Sequence, residues 1–236
     1  VVDYVQVRMT LDDCFEFFGG TVNAKHLVCQ RNQDDGFDFD NGYVGKLQFL
    51  VLQQDPNHVG EDNGVESDND AQGSANLPLT NPTVFNMTLC GKNVDADNAQ
   101  FGLLIRKNSR GTFANVLVDG FESSLDIRDA TGKALKAPAV GEPQLDVRSA
   151  IFFNTKGPGV VDDIAYAENG ASSPNKDNDD GVDEVDWFKA AFRKNKSKID
   201  PGVSCFDPVS PVFGPATSLT SDAEAPPNDG FFDATA

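Results

Sequence analysis

Apolar and polar positions alternate over short stretches of this chain, and the alternating stretches recur. Asp12-Asp13-Cys14-Phe15-Glu16-Phe17-Phe18-Gly19-Gly20 returns as Asp34-Asp35-Gly36-Phe37-Asp38-Phe39-Asp40-Asn41-Gly42, and then as Asp62-Asn63-Gly64-Val65-Glu66-Ser67-Asp68-Asn69-Asp70. The offsets, 22 and then 28 residues, suit one turn of a solenoid and are too short for a domain duplication. Alternation with period two predicts strands. Stacked, the copies put Phe15, Phe37 and Val65 in one internal column and Glu16, Asp38 and Glu66 in an outer one. A second strand follows each copy: Ala24–Cys29 matches Leu47–Leu52, with looser counterparts at Phe85–Leu89 and Ala114–Val118. These runs are rich in β-branched and large apolar residues between turn formers. Degenerate later copies of the acidic phrase lie at 102–106 and 124–128, where Leu104 interrupts the carboxylate column.

The expected fold is therefore all-β, a right-handed parallel β-helix over residues 1–153. Residues 55–82 form a polar insert, and the chain loosens again at 130–144. After 153 the periodicity fails. An irregular segment, 154–236, carries one short helix at about 184–197, with Asp183 or Asp186 as its cap and Trp187, Phe188, Ala191 and Phe192 as its apolar face. A proline-rich extended tail is laid along the body. Val2–Val7 reads as half a rung, and Phe231 and Phe232 have no following segment to cover them. Both ends thus suggest a piece of a longer chain.

Composition narrows the partners. Lys plus Arg number 19 against 37 Asp plus Glu, a net charge of −18. Such acidity argues against nucleic acid, which needs a basic face, and against anionic lipid; it favours surroundings where cations screen the self-repulsion. No stretch of 18 apolar residues marks a membrane span. Four cysteines allow three pairings. Cys29 and Cys90 fall two rungs apart, about 9–10 Å at the usual strand spacing, too far for a disulfide. Cys90 with Cys205 stays open, and so does a set of buried free thiols.

Two acidic groups are candidate cation sites. Stacked at about 4.8 Å, Glu16, Asp38 and Glu66 repel one another, and Asp40 and Asp68 thicken the patch. Calcium, which takes six to eight oxygens, would offset that repulsion. The second group is the run 175–186, where Asn175, Asp177 and Asp179 alternate before Asp183 and Asp186. Gly181 falls one place late for an EF-hand and the last ligand is Asp rather than Glu, so an irregular calcium loop is expected. The plain alternatives are a solvated acidic face and a loop with a helix cap. Glu16 and Asp38 could also serve as an acid/base pair. Arg106, Arg128 and Arg148 form a basic stripe beside the acids. Pairing with those acids is one role; for Arg106 and Arg128, binding an acidic sugar is the other. His26 reads as a strand residue and His58 as a loop residue. Asn86-Met87-Thr88 fits a glycosylation acceptor but falls within a strand.

The frames 12–23 and 34–49, with Pro226-Pro227-Asn228-Asp229-Gly230-Phe231-Phe232-Asp233 near the end, resemble bacterial surface lipoproteins built on a right-handed parallel β-helix. The resemblance implies secretion, a lipid anchor at a cysteine upstream of this sequence, and no particular activity. The expected function is an extracellular cell-surface scaffold, structural or adhesive, calcium-stabilised, with a glycan or cell-surface polymer as partner. A carbohydrate-active enzyme of polysaccharide-lyase-like architecture is the alternative. A self-associating filament or surface-layer subunit is a third.

Overall fold

A computed structural model describes residues 1–57, 60, 62–94, 100–167, 181–207 and 209–234. Along the chain run β1 (Val2–Arg8), β2 (Phe15–Phe18), β3 (Ala24–Gln30), β4 (Phe37–Asp40) and β5 (Lys46–Gln53). Then come β6 (Val65–Ser67), β7 (Thr83–Cys90), β8 (Phe101–Ile105), β9 (Gly111–Asp119) and β10 (Ser123–Ile127). Helix α1 (Asp129–Lys136) precedes β11 (Leu145–Arg148), β12 (Ile151–Phe153), β13 (Val160–Val161) and β14 (Ala165–Tyr166); α2 (Glu184–Phe188) precedes β15 (Lys196–Ser197). The odd-numbered strands β1 to β9 continue into β12 and β15 as one parallel sheet, and β2, β4, β6, β8 and β10 form a second. The fold is a parallel β-helix.

Its registers are those of the sequence repeat. Phe15 pairs with Phe37 and Phe37 with Val65; Glu16 pairs with Asp38, Asp38 with Glu66, and Glu66 with Leu104. Phe37, Val65, Leu27, Leu47 and Leu50 are almost wholly buried, and Phe15 stacks on Phe37 at 5.5 Å. A glycine stands just before the inner column in successive coils because the backbones meet there. A Cβ on Gly36 would lie 2.8 Å from both the Gly64 carbonyl oxygen and a Leu52 methyl. Gly36→Ala should therefore cost about 1–3 kcal/mol by overpacking. Denaturant unfolding would check this, and a midpoint equal to wild type would contradict it.

The long strands bend where the sequence gives no obvious sign. Tyr4, His26, Phe49, Asn86, Asn115 and Ser149 take left-handed φ between 50° and 63°, and each turns its strand onto a new face. Asn tolerates this conformation well, whereas aromatic residues occupy it at a cost. Stacking offsets that cost: Tyr4 lies 4.2 Å from His26, and His26 4.9 Å from Phe49, ring centre to ring centre. His26 is thus a corner residue, with Nδ1 2.7 Å from an Asp3 carboxylate.

Three expectations are corrected. Residues 129–136, in the stretch read as loose, form α1. The helix placed at 184–197 stops after Phe188; Ala191–Arg193 is a 3-10 turn and Lys196–Ser197 is a strand. The apolar face was not continuous, because Phe188 stacks on Phe152 at 4.2 Å while Phe192 is 71% exposed. Pairing of Lys196 and Ser197 with β12 then outcompetes further helix. Phe231 and Phe232 are not left uncovered either: Phe232 packs edge-on against Phe85 at 5.1 Å.

The segment after β12 closes one end of the solenoid. The Ile164 carbonyl accepts from the N–H groups of Ser124 and Leu125 at 3.1 and 2.9 Å, covering part of the edge of β10. Residues 205–207 and 209–233 form a strap over the outside. Thr88 Oγ1 donates to the Phe213 carbonyl (2.7 Å), Ser149 Oγ to the Asp222 carbonyl (2.7 Å), and the Asn115 amide exchanges two bonds with the Glu224 backbone. Gln48 does the same with Asp233. Disulfides join Cys14 to Cys29 and Cys90 to Cys205. The second fastens the strap, and the first lies within one coil, a pairing that spacing between rungs could not suggest.

Candidate functional site: an acidic face on the short-strand sheet

Side chains of β2, β4, β6, β8 and β10 that point away from the core make an outer face. Its central column runs Glu16, Asp38, Glu66, Leu104, Asp126. The face is less open than its composition suggests. Glu16 is exposed, Asp38 and Glu66 are half-buried, and Asp68 is 5% exposed.

The face divides by charge. At the β6–β8 end the chain supplies its own cations: Arg106 pairs with Glu66 through Nη2 and with Asp68 through Nε at 2.9 Å, and Lys107 reaches Asp68 at 2.7 Å. Arg128 forks onto Asp126 with two bonds of 2.9 Å and lies 4.9 Å over the Phe101 ring. Arg148 pairs with Asp146 and Glu224. The basic stripe thus pairs with acids, and Arg106 and Arg128 are held in place by them. Asp40 binds its neighbour Asn41.

At the β2–β4 end Asp13, Glu16 and Asp38 have no such partner among the described residues, whereas Arg106 acts at longer range on Asp34 and Asp62. Carboxylate oxygens of Asp13, Glu16 and Asp38 lie within 4.8 Å of one another; so do those of Asp12, Asp13 and Asp34, and those of Asp34, Asp35 and Asp62. One Asp38 carboxylate oxygen, Oδ1, is buried without a hydrogen bond among the described residues. Burial, then the charges of Glu66 and Asp13, push the Asp38 pKa up to about 8. Burial pushes Glu66 to about 7 against the pull of Arg106, and raises Asp13 and Asp62 to about 6.

Five acids of this arrangement, Asp12, Asp13, Asp34, Asp35 and Asp62, escape a reading confined to the outer column. Three residues at the corner before it form a ladder between coils. Asp13 Oδ1 accepts from the Asp35 N–H (2.8 Å), Asp35 Oδ1 from the Asn63 N–H (2.8 Å), and Asn63 Oδ1 from the Phe101 N–H (3.0 Å). The signal was the second residue of each Asp-Asp or Asp-Asn pair, which looked like turn punctuation. Asp35→Asn keeps the acceptor and replaces an acid whose pKa burial raises well above the ordinary carboxylate value, so in chelator at neutral pH it should melt above wild type. Asp35→Ala leaves the buried Asn63 N–H unpaired and should cost about 1–3 kcal/mol. Thermal melts of the two variants would check the opposite signs.

Of the second predicted cation group, only Asp183 and Asp186 fall among the described residues. Asn175, Asp177 and Asp179 lie outside the described residues, as does His58. Asp183 is the cap of α2, accepting from the Asp186 N–H at 2.8 Å, and Asp186 is exposed.

A parallel β-helix with outward-facing carboxylates on one sheet invites comparison with known families. The family model described as a pectate-lyase-like β-helix domain matches residues 1–191. The chain belongs to this family. Searches of curated proteins and of solved structures returned no significant match. The matched span includes the whole acidic face and ends before β15 and the strap. No helix among the described residues is long and apolar enough to cross a membrane.

Proposed function

We propose that the chain is an extracellular β-helix scaffold, structural or glycan-binding, whose first coils are stiffened by calcium bound on the acidic face. The observation that carries this reading is the convergence of the Asp13, Glu16 and Asp38 carboxylates within 4.8 Å with no basic side chain against them among the described residues. Calcium takes six to eight oxygens from carboxylates, carbonyls and water; these three side chains, with Asp12 and Asp34 beside them, fit part of such a shell. Two disulfides and no free cysteine support an oxidising compartment. The likeness of 12–23 and 34–49 to bacterial surface lipoproteins supports a place at a bacterial surface, with a cell-surface polymer as partner. Calorimetric titration of chelated protein with calcium tests the reading. Saturable binding that Glu16→Gln and Asp38→Asn together abolish would support it, and no heat above that of the double variant would refute it.

A second reading, a carbohydrate-active enzyme, is favoured by one observation. Asp38, with a pKa of about 8, holds its proton at neutral pH beside the exposed Glu16, as a general acid must. Acidic and neutral polysaccharides incubated with the protein would then yield new reducing ends or unsaturated products, and Asp38→Asn would stop them.

A further inference from the structure

A cavity of about 480 Å³ lies between the strap and the outside of the long-strand sheet, and none of its lining residues belongs to the acidic face. Its floor is an outward row in which Leu117 pairs with Ile151 and Ile151 with Lys196. Leu117 and Ile151 point away from the core, yet they are only 3% and 7% exposed, because the strap roofs them with Pro215 and Leu219. The strap is pinned on both sides of this gap, at Thr88 and at Asn115 and Ser149, and so bridges the apolar floor without filling it. A void of this size lined by aliphatic groups lacks the packing contacts that protein interiors normally make. Its volume is that of a small-molecule site, mostly apolar with a few polar groups at the rim.

The rim fixes the charge of the occupant. Lys196 is tied to Asp222 at 2.9 Å and to the Leu219 carbonyl, which leaves its positive charge largely answered. Lys194 borders the same cavity and is exposed; it makes no direct ion pair among the described residues and acts only at longer range on the Asp222 carboxylate that Lys196 already holds, so the rim sets two cations against one acid. In a chain of net charge −18, a cation left over beside an apolar cavity is a specific invitation to an anion.

We propose that this cavity binds a small amphiphile: an apolar, ring- or chain-sized body lying on Leu117 and Ile151 under the strap, with one anionic head group at Lys194. The site is independent of calcium and of any chemistry on the acidic face.

The probe is 1-anilinonaphthalene-8-sulfonate, compared with N-phenyl-1-naphthylamine, which has the same rings and no sulfonate. With the full chain, the sulfonate should bind saturably at one site per chain with a blue-shifted emission, and the neutral probe about two- to fivefold more weakly, the worth of one exposed ion pair. Lys194→Ala should remove that difference while leaving the melting temperature unchanged. Leu219→Trp, which fills the cavity from the strap and spares the core, should abolish binding of both. The proposal is overturned by non-saturable fluorescence, by equal affinity for the two probes, or by binding that persists in Leu219→Trp.

Discussion

In chelator, the melting temperature should fall by about 5–10 °C as pH rises from 5 to 8, and calcium should restore it at pH 8. The sign follows from linkage. Asp38, Glu66, Asp13 and Asp62 all hold their protons more tightly folded than unfolded, with pKa values of about 8, 7, 6 and 6. The stability each contributes is complete below the ordinary carboxylate pKa near 4 and is lost as pH rises through the folded value. Asp38 alone spans about four units, which at about 1.4 kcal/mol per unit sets a ceiling near 5 kcal/mol. Solvent screening of a half-buried group reduces that to about 2–3 kcal/mol, or roughly 2–4 °C for each kcal/mol in a chain of this size. An opposite trend enters in more acid solution. Asp162, held near 2 by Lys189 and Lys198, stabilises only above that range, so the chelated protein should be most stable near pH 4–5. Calcium reverses the slope on the alkaline side, because ionised carboxylates are its ligands. Calorimetry across pH with and without chelator checks this, and Asp38→Asn should flatten the chelated curve. A melting temperature constant from pH 5 to 8 in chelator would refute the electrostatic account of the face.

The second large effect should come from the strap. Cys90 and Cys205 are separated by 115 residues, and in the chain-entropy account a crosslink over such a loop is worth about 4–5 kcal/mol. The double variant Cys90→Ser/Cys205→Ser should melt about 10–15 °C below wild type at the same scaling. Opening Cys14–Cys29, with a separation of 15, should cost about 3 kcal/mol. The two losses also differ in place. Without Cys90–Cys205, the backbone of residues 209–233 should lose hydrogen-exchange protection before the coils do, since side-chain bonds to the body are most of what remains to hold it. A double variant melting within about 3 °C of wild type would show that those bonds suffice.

The repeat was legible because a parallel β-helix obliges every coil to present the same pattern. Phe15, Phe37 and Val65 must fill one column and Glu16, Asp38 and Glu66 must share another, so an offset between copies is already a register. The bends at Tyr4, His26 and Phe49 were not legible, since residues in a left-handed corner keep the composition of a strand. The Asp13–Asp35–Asn63 ladder was hidden for a related reason: Asp and Asn before a strand also serve turns, and only stacking gives their side chains the next coil's N–H. The helix at 184–197 was overread because local spacing ignores the free edge of β12, which Lys196 and Ser197 join.

By itself, the sequence determined the solenoid, its inner and outer columns, and an acidic excess that had to fall on one face, because periodicity is a local property that stacking merely repeats. Tertiary structure decided which acids are answered. Arg106 and Lys107 neutralise Glu66 and Asp68, while Asp13, Glu16 and Asp38 converge with no such partner among the described residues. It also decided how the cysteines pair, and that a strap returns over the outer sheet to enclose a cavity beside Lys194. Those outcomes depend on distances between residues far apart in the chain, and the spacing of a repeat does not carry them.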